Sequence, residues 1–309
     1  MRNHTNLLKL LLKHSDVLPH ANSNFALTIA VQQGHLQSLI LLLNDSRVDP
    51  TCRNNFALEI TCKNGFVLCF QAILNHQNID PSYKDNHLIC FAASVGQTDC
   101  LRLLLNHHAV DPTTQNNYPI RIAAKEGHLD CLQLLLDDPR VDPTVNQNEP
   151  LLSAIARQHT SCLKLLLKDP RIDPASRHNL AIRVLAMNGD LEPLQILLAD
   201  SRINPSTNNN EPVITCAFNG HAHSLAVLLT HPLVDPSARN NLAIATAASN
   251  GFHECVQILL SHPKVDPTVD NNYPYRMAIR NQHVRCADLL LQDSRVSDLV
   301  KLSEASCPL

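Results

Sequence analysis

This 309-residue sequence predicts an all-α fold, a solenoid of stacked helix–turn–helix repeats with short finger loops. Three observations predict it. A 31-residue period runs through nearly the whole chain. Within each period the apolar residues recur at three- and four-residue spacings. Glycine, which occurs only seven times, keeps to one position of the period.

Aligned at an offset of 31, Val17, Val48, Ile79, Val110, Val141, Ile172, Ile203, Val234, Val265 and Val296 form one column. With that residue as position zero, position 2 is proline nine times, from Pro19 and Pro50 to Pro267, and Asp298 in the last copy. Position 7 is asparagine in nine copies: Asn24, Asn55, Asn86, Asn117, Asn148, Asn179, Asn210, Asn241 and Asn272. Position 17 holds Gly34, Gly65, Gly96, Gly127, Gly189, Gly220 and Gly251, with Gln158 and Gln282 in the other two copies. A fixed period of about 20 to 50 residues marks a solenoid or an array.

Each copy then reads as two short helices. The first covers positions 8 to 16, with Ile120, Ala123 and Ala124 as its apolar stripe, and the second covers positions 19 to 28, with Leu129, Leu132, Leu135 and Leu136. Such spacing puts the apolar residues on one helix face. The glycine between them suits a left-handed turn. The following Asp-Pro is expected to stop the second helix, and the polar stretch Thr113 to Asn116 is expected to form an extended turn or hairpin. One such unit cannot bury its own apolar face, so neighbours must stack.

The ends are uneven. Residues 1–21 read as a half repeat or N-terminal cap, because His4 to Leu12 match the second-helix half in register. Residues 22–296 form the solenoid of about nine repeats, and 297–309 a C-terminal cap or tail with a short amphipathic segment from Asp298 to Ala305.

The segment from Tyr118 through Ala123-Ala124, Gly127-His128 and Leu134-Leu135-Leu136 resembles the ankyrin repeat, whose pattern is TPLHxAAxxGHxxVVxxLL. The resemblance implies paired helices with a projecting β-hairpin finger, and a non-catalytic scaffold for protein–protein interaction. The unit here is 31 residues against the usual ~33, with the deficit in the finger. The family's capping threonine is replaced by Phe25, Phe56, His87, Tyr118, Glu149, Leu180, Glu211, Leu242 and Tyr273. The invariant asparagine just before that column is expected to serve as N-cap instead, or to form a ladder between adjacent fingers.

Several chemistries are excluded or disfavoured. No two glycines are close enough for a dinucleotide fingerprint, a phosphate loop or a nucleophile elbow. Of eleven cysteines, Cys69, Cys100, Cys131, Cys162, Cys255 and Cys286 share position 21 and read as small core hydrophobes, with no CxxC pair for zinc. Of seventeen histidines, His35, His128, His159, His221 and His283 share position 18, and none forms a metal-binding pattern. No cofactor, metal or catalytic set is expected, and the protein is not read as an enzyme. No apolar run approaches the ~18 residues of a membrane helix. The stretch Leu7 to Leu12 is interrupted by Lys9 and lacks a cleavage signal. An intracellular, cytoplasmic setting with reduced thiols is therefore expected, and the sequons at Asn3 and Asn44 are expected to go unused.

Function is sought on the variable columns. By resemblance, the finger tips and first helices, positions 5, 6, 8, 11, 12, 15 and 16, build a concave binding face. Its basic residues are Arg53, Lys63, Lys84, Arg121, Lys125, Arg157, Arg177, Arg183, Arg239, Arg276 and Arg280. Its acidic ones are Glu59, Asp85, Glu126, Glu149, Glu211 and Asp270. Eleven against six leaves the face at +5, while the rest of the chain carries 14 against 22, or −8, so a total of −3 conceals a segregated field. A protein partner with an acidic patch is the expected ligand. Nucleic acid is the weaker option because the charges are sparse and only Phe25, Phe56, Tyr118 and Tyr273 form an aromatic column. No membrane or small-molecule partner is read. The alternative role is the recognition arm of a larger enzyme or ubiquitin-ligase substrate adaptor.

Overall fold

A computed structural model describes residues 4–305. Its regular structure is helical throughout, with no strand among the described residues. The chain divides into two compact units, residues 1–171 and 172–309.

In the first unit α1 (Thr5–Leu11) precedes five helix pairs. These are α2 (Ala21–Gln32) with α3 (Leu36–Leu43), α4 (Cys52–Lys63) with α5 (Val67–Leu74), and α6 (Tyr83–Ser94) with α7 (Thr98–Leu105). Then come α8 (Thr114–Glu126) with α9 (Leu129–Asp137) and α10 (Val145–Ala156) with α11 (Thr160–Lys168). The second unit contains α12 (Ser176–Asn188) with α13 (Leu191–Leu198), α14 (Thr207–Asn219) with α15 (Ala222–Leu229), α16 (Ala238–Asn250) with α17 (His253–Leu260), and α18 (Val269–Arg280) with α19 (Val284–Gln292). There α20 (Ser294–Ala305) packs on α18 and α19. This last helix starts before residue 297, and residues 306–309 of the expected tail lie outside the described residues.

Within each unit first helices stack on first helices, as α4 on α2 and α14 on α12, and second helices on second helices, as α5 on α3 and α17 on α15. Ile120, Ala123 and Ala124 of α8 and Leu132 and Leu135 of α9 are fully buried and Leu136 nearly so, as the spacing predicts, whereas Leu129, the first residue of α9, is 39% exposed. Each such leucine contributes roughly 2 kcal/mol of apolar burial. The alanines let neighbouring first helices approach closely. Val110, Val141, Ile172 and Val265 of the position-zero column are also buried, so the period is anchored in the core.

The polar stretch is neither an extended turn nor a hairpin. In all nine copies positions 5, 6 and 7 lie in the left-handed region, with φ between 48° and 64°, as at Gln115, Asn116 and Asn117. Left-handed backbone costs a side-chain-bearing residue roughly 1–2 kcal/mol, least for Asn and Asp. Seventeen of these 27 residues are Asn and none is β-branched, which is how the sequence tolerates the turn. The turn closes on itself: the Asn117 N–H donates to the Thr113 carbonyl (2.8 Å), and Asp111 Oδ1 accepts from the Thr113 N–H (2.9 Å) and hydroxyl (2.7 Å).

The asparagine is accordingly not a side-chain N-cap. Asn117 Oδ1 accepts from the Asp142 backbone N–H of the next repeat (2.9 Å), as Asn86 does from Asp111 (2.8 Å) and Asn241 from Asp266 (2.8 Å). From Asn86 and Asn117 in the first unit and Asn179, Asn210 and Asn241 in the second, the column forms a ladder that satisfies backbone groups between repeats, whereas Oδ1 of Asn24, Asn55, Asn148 and Asn272 is buried without such a bond. The position-2 proline is not the helix stop, since α3 already ends at Leu43, well before Asp49-Pro50; in the fourth copy an earlier Asp-Pro does stop the helix, as α9 ends at Asp137 and Asp138 turns extended (φ −80°, ψ 118°) directly before Pro139.

That earlier turn carries a second link. Arg140 donates through Nε and Nη2 to Asp138 (2.9 and 2.6 Å), through Nη2 to the Leu105 carbonyl of the preceding repeat (2.9 Å) and through Nη1 to the carbonyl of Val110, where its own repeat begins (3.1 Å). Arg47, Arg171, Arg202 and Arg295 repeat the pairing with Asp45, Asp169, Asp200 and Asp293. A cation at the end of a helix meets the negative end of its dipole.

The glycine column has a similar origin. Gly127 has φ 77°, and a Cβ there would lie 2.6 Å from Nδ1 of His159, whose Nε2–H donates to the Lys125 carbonyl (3.0 Å). The ring of the following repeat thus needs the bare glycine here, whereas the side chain nearest Gly65 is that of Gln97, with no ring. Thirty-two residues past Gln158, which keeps φ at 59°, the sequence has Asp190 and no ring.

Candidate partner-binding face

The eleven basic residues fall at three places in the repeat. Arg53, Lys84, Arg177 and Arg239 are exposed on the first residue of the left-handed turn. Lys63, Lys125, Arg157 and Arg280 are exposed at the ends of first helices. Arg121, Arg183 and Arg276 are at position 11, the first two half-buried.

Arg121 and Arg183 are matched internally. Arg121 grips Glu149 of the next repeat with Nε to Oε2 (2.8 Å) and Nη2 to Oε1 (3.0 Å). Arg183 grips Glu211 the same way (2.8 and 3.1 Å). In each case an Asn side chain of the left-handed turn also donates to the carboxylate, Asn146 to Glu149 (2.6 Å) and Asn208 to Glu211 (2.7 Å). Burial alone would raise the Glu211 carboxyl. Arg183 and Asn208 outweigh it and hold the carboxyl below the usual glutamate range. Two-pronged pairs of this kind are the stronger class of ion pair. The Arg121 guanidinium also stands 5.7 Å from the Tyr118 ring centroid.

The other arginines and lysines differ. Arg276 donates to the Asp270 carbonyl of its own turn (3.0 Å), Arg239 to the Asn208 carbonyl, and the Lys84 ammonium lies 5.5 Å from the Tyr83 ring centroid. Arg53, Lys63, Lys84, Lys125, Arg157, Arg276 and Arg280 make no ion pair among the described residues. With the two Arg–Glu pairs set aside, these columns carry five basic residues against Glu59, Asp85 and Glu126 in the first unit and four against Asp270 in the second.

The other two repeated columns are structural. Cys69, Cys100, Cys131, Cys162, Cys255 and Cys286 are buried. Contact with Cys100, then burial, pushes the Cys62 thiol well above the ordinary range. The rings of His128, His159, His221 and His283 lie over glycines of the preceding repeat. No group of three or more His, Cys, Asp or Glu among the described residues could hold a metal ion, and no described helix is long and apolar enough to cross a membrane.

Sequence reasoning placed Arg121 and Arg183 on the face without seeing their partners. The signal was present: Arg and Glu stand 28 residues apart in adjacent copies, and the whole Arg…Asn-x-x-Glu set recurs 62 residues on.

The family model described as Ankyrin repeats matches in three copies, at residues 88–178, 180–271 and 232–299, which together exceed half of the chain. Those three copies do not count the nine 31-residue units one by one. Among solved structures, the crystal structure of EF0377, an ankyrin repeat protein, is 22% identical, with 56% of this chain and 96% of that chain covered and a TM-score of 0.45. No curated protein matches the sequence. The three-copy match is decisive, and the chain belongs to the ankyrin repeat family.

Proposed function

We propose that the face built from the left-handed turns and first helices docks a partner protein through an acidic segment, without catalysis. Ankyrin repeats generally mediate protein–protein interaction, and the proposal names the surface and the chemistry of the partner. The observation that carries it is the charge balance. The Arg121–Glu149 and Arg183–Glu211 pairs are neutral, and the other charged residues of these columns are five basic against three acidic in the first unit and four basic against one acidic in the second. A net positive field of this kind raises encounter rates and selects register more than it adds raw affinity.

A fluorescein-labelled oligoglutamate peptide titrated with the full chain tests the reading by anisotropy. Saturable binding at low salt that weakens roughly tenfold or more between about 0.05 and 0.5 M salt is expected for exposed charges. Absence of binding at low salt, or affinity indifferent to salt, overturns it.

A further inference from the structure

The turn after the second helix is built in two ways. Positions 28 and 30 are Asp45 with Arg47, Asp138 with Arg140, Asp169 with Arg171, Asp200 with Arg202 and Asp293 with Arg295. In the other copies they are His76 with Asn78, His107 with Ala109, His231 with Leu233 and His262 with Lys264. The histidine reproduces only the backbone half of the aspartate's work. His107 Nδ1 accepts from the Ala109 N–H (3.2 Å), as Asp138 Oδ1 accepts from the Arg140 N–H (3.0 Å), but no guanidinium follows it.

Where the arginine is present it has a fixed seat. Nη1 donates to the carbonyl of position zero, that of Val17, Val110, Val141, Ile172 or Val265 (2.7–3.1 Å). In Arg47, Arg140 and Arg171, Nη2 also donates to a carbonyl at the end of the preceding second helix, that of Leu12, Leu105 or Leu136 (2.9 Å each). Asp138 and then the Asp111 charge at position 1 favour the cationic form of Arg140. In the repeat of Ala109 the corresponding acceptors are still there: Leu74 ends α5, Ile79 is position zero and Asp80 is position 1. Among the described residues no hydrogen bond reaches the Leu74 or Ile79 carbonyl. With His107 and Ala109 these three residues border an open pocket of about 560 Å³, which no Lys or Arg lines.

We propose that this pocket is a guanidinium seat, which an arginine side chain of a partner protein fills where five other repeats use their own. Those five repeats show the chemistry of the occupant. Two carbonyls, the Asp80 carboxylate and the negative end of the α5 dipole all favour a cation. The spaced carbonyls suit the planar fork of a guanidinium, whereas an ammonium is a point charge. Ala109 is the shortest of the four replacements, and Lys264 brings a cation of its own. Free arginine would set its own carboxylate near Asp80, so an arginine within a chain is the better occupant. The seat lies between internal repeats and outside the columns of the basic face, so its failure leaves the acidic-partner reading untouched.

The probe is N-acetyl-arginine N-methylamide, titrated into the ¹⁵N-labelled full chain and followed by amide chemical shifts. Saturable shifts confined to the neighbourhood of Ile79, Asp80 and Ala109 are expected at about 1–10 mM. The citrulline analogue, of the same shape without the charge, gives none, and the lysine analogue binds more weakly. His107→Asp supplies the carboxylate that Asp138 gives Arg140 and lowers Kd roughly tenfold. Ala109→Arg added to that variant fills the seat from within and abolishes binding, with a circular-dichroism melt no lower than that of His107→Asp. Several results overturn the proposal: no localised, saturable shifts in the wild-type chain, citrulline or lysine analogues that bind as well as arginine, or a double variant that still binds. Free L-arginine that binds more tightly than the capped probe also overturns it, because the seat then serves a small molecule.

Discussion

Replacing Gly127 with alanine asks whether a following repeat dictates the residue at the inter-helix turn. Two costs are separable. The left-handed φ of 77° costs an alanine roughly 1 kcal/mol. The added Cβ would also sit 2.6–2.8 Å from three atoms of the His159 imidazole, so the ring must move and release its bond to the Lys125 carbonyl. That loss, with the disturbed packing, is worth about 2 kcal/mol more, for a total near 3 kcal/mol. In a His159→Ala background only the backbone cost of about 1 kcal/mol remains, which gives a coupling of about 2 kcal/mol in a double-mutant cycle. Urea unfolding followed by far-ultraviolet circular dichroism measures it, since the chain has no tryptophan to serve as a fluorescence probe. Equal costs in the two backgrounds would refute the reasoning, because the glycine would then answer to its backbone alone.

Three further outcomes follow from the same geometry. Asn117→Ala loses the bond to the Asp142 N–H and strains a left-handed residue, for about 2 kcal/mol, while Asn117→Gly loses only the bond, for about 1 kcal/mol; equal losses in urea unfolding contradict the ladder. Asp138 is held below the usual carboxylate range by its hydrogen bond to Arg140, so the stability of the pair is present above the ordinary carboxylate pKa near 4 and is lost as pH falls below it. The gap in melting temperature between wild type and Arg140→Ala therefore narrows below about pH 4, and a gap constant from pH 7 to 2.5 contradicts the pairing. Burial pushes the Cys216 thiol up to about 12 and those of Cys90 and Cys255 up to about 11. At about pH 8 these thiols react with a disulfide reagent only as fast as the protein opens; prompt labelling of folded protein contradicts their burial.

The parts of this fold that the sequence shows are the ones that repeat for packing reasons. The Ile120, Ala123, Ala124 stripe and the leucines of the second helix are legible because burial demands apolar residues at fixed spacing. The left-handed conformation of the turn was not legible. Thr113 to Asn116 reads as an extended turn or hairpin, and nothing in its polar composition announces three successive left-handed residues or the bond from Asn117 to Asp142 of the next repeat. Contacts between copies hide in the same way. Glu149 and Arg121 each look like a surface charge until stacking brings positions 8 and 11 of neighbouring first helices together. The basic columns were visible as composition, but which of their members are committed to the stack required the three-dimensional pairing.

The measurement that bears most directly on the proposed function compares two sets of charge reversals in the full chain. One set, Arg121→Glu with Arg183→Glu, attacks arginines matched by Glu149 and Glu211. The other, Arg53→Glu, Lys63→Glu, Lys125→Glu and Arg280→Glu, attacks exposed residues that make no ion pair among the described residues. Melting temperature and affinity for the oligoglutamate peptide are read on both. A basic docking face predicts that the first set, which takes the charge of the columns from +5 to +1, lowers the melting temperature and weakens binding, while the second, which takes it from +5 to −3, weakens binding further, roughly tenfold or more, with the melt nearly unchanged. Unchanged affinity in the second set would contradict the claim that this face receives an acidic partner.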